Sequence, residues 1–309
     1  MLKPYYPELA QWMENHKDCL TTYDMGPRVD PLLVYHTSPR IYSLMVPRPQ
    51  KNGSPAGFWA YLSLGDEKAM LIDAGHGLGD LKSVVDSLIG ERELIVVNTH
   101  FHGDHSLGFY QFPKVYCYKE EAPVLRERMY PGYFEEFCRH DMDPDYYQDG
   151  DVIPFHEYEV IPCENHHLFH LGPDHEVELI WMPGHTSGGA CYLDKKNRAL
   201  FCGDALSSTQ SVKICSRQKP GKHQEYCTVS AYRSELSALA QRVSEYDGIY
   251  DGHALPGADA GVTLDLLAVC DNILNDPNDH YHEIRRRNGS ICKEKSRGTA
   301  SVMYVDASL

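Results

Sequence analysis

The chain has 309 residues, with 29 Lys and Arg against 44 Asp and Glu and a formal charge of −15, a balance that excludes duplex nucleic acid as a ready partner, because phosphate binding draws its free energy from counterions displaced by basic side chains. No stretch approaches the roughly 20 apolar residues that span a bilayer, and Met1-Leu2-Lys3-Pro4-Tyr5-Tyr6-Pro7 lacks the apolar core of a secretory leader, so no membrane partner is expected. The 10 cysteines are scattered singly, which favours reduced thiols and a cytoplasmic location over a disulfide framework.

Residues 1–40 are rich in Pro, Tyr and polar groups; a helix over Pro7–Asp18 and then a wrapping segment are predicted. From Ile41 the chain alternates apolar and polar, and Phe58-Trp59-Ala60-Tyr61-Leu62 and Ala69-Met70-Leu71-Ile72 read as strands joined by a turn at Gly65-Asp66. Leu81, Val84, Val85 and Leu88 recur at helical spacing, which predicts a helix over Leu78–Ile89. Glu93-Leu94-Ile95-Val96-Val97-Asn98 has the length and β-branched content of a buried strand. Where it ends, Thr99-His100-Phe101-His102-Gly103-Asp104-His105 packs four metal-competent side chains into six positions. On an extended backbone His100 and His102 point to one side, whereas Asp104 and His105 need a turn, for which Gly103 supplies the freedom. One cation can take the first pair and a second cation the other.

Lys114–Tyr118 is a further strand. The 79 residues between His105 and His185 contain Tyr110, Tyr116, Tyr118, Tyr130, Tyr133, Tyr146, Tyr147 and Tyr158 with Phe134 and Phe137, and read as an aromatic-rich insertion at about 110–175. Ordinary packing accounts for most of these rings, and a lid over a substrate pocket is the alternative. His156, His166, His167, His170 and His175 lie in the same interval and read as solvated or hydrogen-bonded rather than as a third metal site. Downstream, Met182-Pro183-Gly184-His185, Phe201-Cys202-Gly203-Asp204 and Tyr250-Asp251-Gly252-His253 repeat one pattern: an apolar or aromatic stretch, a Gly, then a single His or Asp. Ser211 to His223 carries Lys213, Arg217, Lys219 and Lys222 with no acid between them, suited either to an anionic substrate group or to plain solvation. Helices are predicted over Ser234–Tyr246 and Asp259–Leu274, and Asn288-Gly289 and Ser301–Val305 read as a turn and a last strand. Residues 261–309 thus form a helix and hairpin extension, whose Arg285-Arg286-Arg287 run is a solvated face or part of a contact in a homo-oligomer.

The order and local contexts of these motifs, over about residues 55–255, resemble the metallo-β-lactamase superfamily. The resemblance implies an α+β fold, an αββα four-layer sandwich, with the catalytic domain at 41–260. Carried over position by position, it implies His100, His102 and His185 around a first metal, Asp104, His105 and His253 around a second, and Asp204 bridging them. It also makes Asp73, in Leu71-Ile72-Asp73-Ala74-Gly75, a buried anchor rather than a ligand. Imidazole and carboxylate donors suit Zn²⁺ best among two divalent ions, and Mn²⁺ or Fe²⁺ tolerate the same set. Such ions acidify shared water, so the expected function is a binuclear hydrolase whose bridging hydroxide attacks a small ester, lactone, thioester or related acyl substrate without a Ser or Cys nucleophile. Asp104 is expected to accept the proton and pass it to the leaving group. Asp73 and Thr186 are candidates for fixing imidazole tautomers or, equally, for stabilising turns. A phosphodiesterase acting on a small phosphodiester is the alternative, and a non-catalytic metal-binding scaffold a third reading that the complete set of ligands disfavours.

Overall fold

Strand β4, Phe58–Leu64, is buried at all seven positions, so it has no solvent-facing side, and an eight-stranded sheet extends from it in both directions. In the computed structural model, the described residues are 7–26, 29–47, 58–133, 136, 153–214, 223–286 and 289–309. They divide into two compact units, 1–164 with 169–176, and 165–168 with 177–309.

In the first unit, helix α1 (Pro7–Asn15) precedes strands β1 (Leu20–Tyr23), β2 (Leu32–Ser38) and β3 (Ile41–Val46). After β4 come β5 (Lys68–Ile72), β6 (Glu93–Asn98), β7 (Lys114–Tyr118) and β8 (Glu159–Cys163), and sheet order follows chain order throughout. Pairing is antiparallel from β1 to β5 and parallel from β5 to β8. Parallel neighbours require a crossover, and helix α2 (Leu81–Ile89) provides it between β5 and β6. The helix begins later than its apolar spacing predicts, because Gly79 sits at φ +66° and Asp80 caps the first turn by accepting from Ser83 N–H at 2.9 Å. Its inner face is Leu81, Val84, Val85 and Ile89, with Leu88 half-buried against the same core. Strand β9 (Leu168–Gly172) meets the β4–β5 turn, where Leu171 O accepts from Glu67 N–H at 3.1 Å.

The second unit holds β10 (His175–Trp181), β11 (Ala190–Asp194) and β12 (Ala199–Gly203), antiparallel in sequence. Strand β13 (Ser211–Lys213) leaves for a second sheet, while β14 (Gly248–Asp251) pairs parallel with β12 and β15 (Ala258–Asp259) antiparallel with β14. The second sheet runs β13, β18 (Ala300–Tyr304), β17 (Ile291–Arg297), β16 (His282–Arg285). Helices α5 (Val229–Ala240) and α6 (Val262–Asn275) complete the unit; two short ones, α3 (Gly103–Ser106) and α4 (Ala122–Glu127), belong to the first. One core takes Leu200 from β12, Leu236 from α5, Leu266 from α6 and Val302 from β18. Mixed sheets with helices make this an α+β fold, as expected. Among the described residues no helix is long and apolar enough to cross a membrane.

Candidate metal centre

In the first unit the candidate ligands stand where β5 and β6 end side by side. Asp73, just past β5, is held at φ +63° and is 3% exposed. Its carboxylate accepts from Thr99 N–H at 2.8 Å, from Thr99 Oγ1–H at 2.7 Å and from His105 Nδ1 at 2.7 Å. A neutral imidazole that donates through Nδ1 presents a bare Nε2 lone pair. For His105 that Nε2 lies 3.7 Å from Asp104 Oδ2. The turn that Asp104 and His105 need is the helical turn α3, and Gly103 enters it without a positive φ.

His100 Nε2 and His102 Nδ1 approach to 3.0 Å, so these two rings converge as the extended backbone requires. Phe101 between them is clamped along its backbone. Its N–H donates to Glu121 Oε2 at 2.7 Å, and its carbonyl accepts from Ser106 Oγ–H at 2.9 Å and from Arg128 Nη1 at 2.7 Å. Glu121 is fully buried. Thr99 Oγ1 also lies 3.1 Å from His100 Nδ1, so Thr99 ties Asp73 to the first histidine. A close backbone approach locks the far end of the loop: Ala74 N–H donates to His105 O at 2.9 Å and Gly108 N–H to Gly75 O at 3.0 Å. A Cβ on Gly108 would stand 2.2 Å from Ala74 O, which is why glycine occupies that position.

In the second unit three strand-end residues meet one another. His185 follows β10 after Gly184, whose φ is +118°; Asp204 follows β12, and His253 follows β14. Asp204 lies between the two rings, its Oδ2 3.3 Å from His185 Nε2 and its Oδ1 3.0 Å from His253 Nε2. His185 Nδ1 is fixed by the backbone carbonyl of Lys213 at 2.9 Å. The buried Thr186 takes part in the turn at this ligand through its carbonyl, which accepts from Gly184 N–H at 3.1 Å. Asp251 organises the His253 turn by accepting from His253 N–H at 2.9 Å and from Ala254 N–H. Burial pushes the Asp251 carboxyl up to about 6, against the downward pull of those two N–H groups. Together these side chains, with Ser207 and Gln210, line a recess of about 10 Å³, room for a water or an ion and not for an organic substrate.

The donor chemistry fits divalent metal. Imidazoles whose Nδ1 atoms are already engaged by Asp73 and by Lys213 O, set beside carboxylates, are the arrangement that metal-binding histidines show. Glu121 and Lys213 O were not foreseen from sequence. The other histidines sit elsewhere: His166 Nδ1 lies 2.7 Å from Glu178 Oε1 and His170 Nδ1 3.2 Å from Glu176 Oε1. Of the basic run, Arg217, Lys219 and Lys222 fall outside the described residues, as do Tyr146, Tyr147, Phe134 and Phe137.

Residues 57–242 match the family model described as the metallo-beta-lactamase superfamily. The chain is 31% identical over 186 residues to the human acyl-coenzyme A thioesterase MBLAC2, covering 50% of this chain and 60% of that protein. It is 27% identical over 205 residues to the hydroxyacylglutathione hydrolase of Maricaulis maris (strain MCS10), covering 66% of this chain and 61% of that protein. The chain thus spans about three fifths of the length of these relatives. Among solved structures, a metallo-beta-lactamase from Pontibacter korlensis superposes with a TM-score of 0.54 at 17% identity, over 78% of this chain and 99% of that one, a likeness of fold.

Proposed function

The chain belongs to the metallo-beta-lactamase superfamily, and from that membership we propose that it is a hydrolase of acyl substrates, thioesters foremost, working with two divalent metal ions held by His100, His102, His185, Asp104, His105, His253 and Asp204. The observation that carries the proposal is the orientation of His105 and His185 by Asp73 and by Lys213 O, at 2.7 and 2.9 Å, which turns each Nε2 toward a carboxylate. Two relatives support the acyl class through their names, an acyl-coenzyme A thioesterase and a hydroxyacylglutathione hydrolase. Zinc is the ion these donors suit best.

Bound metal supplies acidified water and a Lewis-acid partner for the acyl oxygen. The chain's own residues do the rest. As the water oxygen bonds to the acyl carbon, Asp104 accepts the proton; as the carbon–sulfur bond breaks, the same carboxyl returns that proton to the departing thiolate. Asp104 is half-buried, close enough to solvent for the product acid to leave. Asp73 and Glu121 hold the histidine loop in place and touch no substrate. A cytoplasmic location belongs to the same proposal, supported by the eight described cysteines, all free thiols. Homo-oligomerisation through the C-terminal extension would use its edge strand β16.

The test is turnover of thioesters, esters, lactones and small phosphodiesters by the full chain loaded with zinc or manganese, with and without chelator. Thioester hydrolysis is expected, abolished by chelation and restored by metal, and Asp104→Asn should lower kcat by about 10² or more while metal content falls far less. Turnover of phosphodiesters alone would contradict the acyl reading, and retained metal with no turnover of anything would leave a binding scaffold.

A further inference from the structure

A second, larger cavity lies wholly within the first unit, of about 420 Å³, inside the size range of small-molecule sites. It shares a wall with the histidine loop. Ser106 and Leu107, the two residues after His105, line it, and so does Arg128, whose Nη1 donates to the carbonyl of Phe101 between His100 and His102.

Its other walls are apolar in effect. Tyr110 and Phe155 lie near-parallel with centroids 6.0 Å apart, and the Tyr110 hydroxyl is already spent on Gly77 O at 2.7 Å, so the ring presents carbon to the cavity. The Tyr130 hydroxyl is likewise turned to Glu136 at 2.6 Å. Leu125, Met129 and Ile153 add aliphatic surface to the lining, and Tyr133 and Tyr158 two more rings. Arg128 marks the polar end of the cavity: its guanidinium, stacked 4.6 Å from the Phe101 ring and 5.4 Å from Tyr133 and bonded to the loop backbone, keeps its charge beside the histidine loop. Several of the rings that ordinary packing accounts for in the sequence therefore wall an open space.

We propose that this cavity holds the apolar acyl chain of the substrate, with the acyl carbon at the end walled by Ser106 and Arg128, next to the histidine loop. The proposal rests on the thioesterase reading and sharpens it: the substrate class becomes thioesters with acyl chains of several carbons or more, and short acyl groups should be poor substrates. Each methylene moved from water into such a pocket favours binding by roughly fourfold, so discrimination grows steeply with chain length until the cavity is full.

The experiment compares acetyl and decanoyl thioesters on the zinc-loaded full chain, and in parallel measures decanoate displacing the fluorescent probe 1-anilinonaphthalene-8-sulfonate. Ile153→Trp puts an indole into the cavity from a half-buried lining position, and Ile153→Ala leaves more room; circular dichroism establishes that both fold. Expected results are kcat/KM for decanoyl at least tenfold above acetyl, a drop of tenfold or more for decanoyl alone in Ile153→Trp, and a matching loss of decanoate affinity that Ile153→Ala does not share. Equal effects on both thioesters, or unchanged decanoate binding in Ile153→Trp, would overturn the assignment of the cavity. Should the wild type turn over no thioester at all, the functional reading fails, and decanoate displacement alone decides the cavity: lost in Ile153→Trp it stands, retained it falls.

Discussion

Asp73 concentrates more of this site's order than any ligand does. One carboxylate satisfies a backbone N–H, a hydroxyl and an imidazole at 2.7 to 2.8 Å, and each hydrogen bond to a charged group contributes about 1.5–3 kcal/mol. Asp73→Asn isolates that contribution, since Asn tolerates the φ of +63° nearly as well as Asp and keeps one acceptor oxygen. A loss of about 2–4 kcal/mol in urea unfolding is expected, with metal affinity weakened 10- to 100-fold; unchanged affinity would mean that His105 needs no anchor. Residues of this kind differ in how legible they are. Asp73 was legible through the family resemblance that Leu71-Ile72-Asp73-Ala74-Gly75 carries. Glu121 does not, because Lys119-Glu120-Glu121 reads as surface and only the fold reveals that its carboxylate is buried under Phe101 N–H. The Lys213 carbonyl is invisible in principle, since every residue carries one.

At the scale of elements, periodicity located the longer helices and strands β4 to β7 and β18, and misjudged the helix ends. Helix α5 starts at Val229 because Thr228 caps it, accepting from Ala231 N–H at 3.1 Å. Val243 and Tyr246 prolong the apolar spacing, yet the α-helix ends at Ala240 and only a 3₁₀ turn follows. Strand β1 escaped notice because a four-residue strand with exposed centre carries little alternation of its own and is defined by its partner, Leu20 opposite Tyr35 through Tyr23 opposite Leu32. Strand β2, with its four buried residues Leu32 to Tyr35, reads in sequence as part of the N-terminal wrapping segment. That α-helical end matters for stability. Arg242, just beyond α5, grips Glu178 of β10 with Nη2 at 2.6 Å and Nη1 at 3.1 Å, and His166 adds a contact at 2.7 Å. Burial alone would raise the Glu178 carboxyl, but the Arg242 guanidinium and the hydrogen bond with His166 hold it below its ordinary value. A carboxyl with a depressed folded pKa contributes stability above its unfolded pKa, about 4.3, and loses it as pH falls through the lower folded value. Glu178→Gln should therefore cost about 1 kcal/mol near neutrality and flatten the fall of Tm between about pH 5 and pH 3. A parallel fall in both proteins would show that this cluster does not couple strand to helix.

For the whole molecule, the α+β class and family were readable because the ligand-bearing strand ends recur in a fixed order along some two hundred residues, a pattern that local composition does not produce. The large cavity beside the histidine loop was not readable: its walls come from residues as far apart as Ser106 and Tyr158, and a tyrosine's sequence neighbours do not reveal whether its ring meets another ring or an open space. The proposed hydrolase chemistry depends on seven side chains holding two ions. Elemental analysis of the full chain, reloaded with zinc and freed of loosely held metal, tests that claim most directly. Two zinc ions per chain are expected, falling in His185→Ala and unchanged in His166→Ala, whose ring is 64% exposed and engaged with Glu178; a reproducible value of one or fewer in the unaltered protein would contradict the binuclear centre.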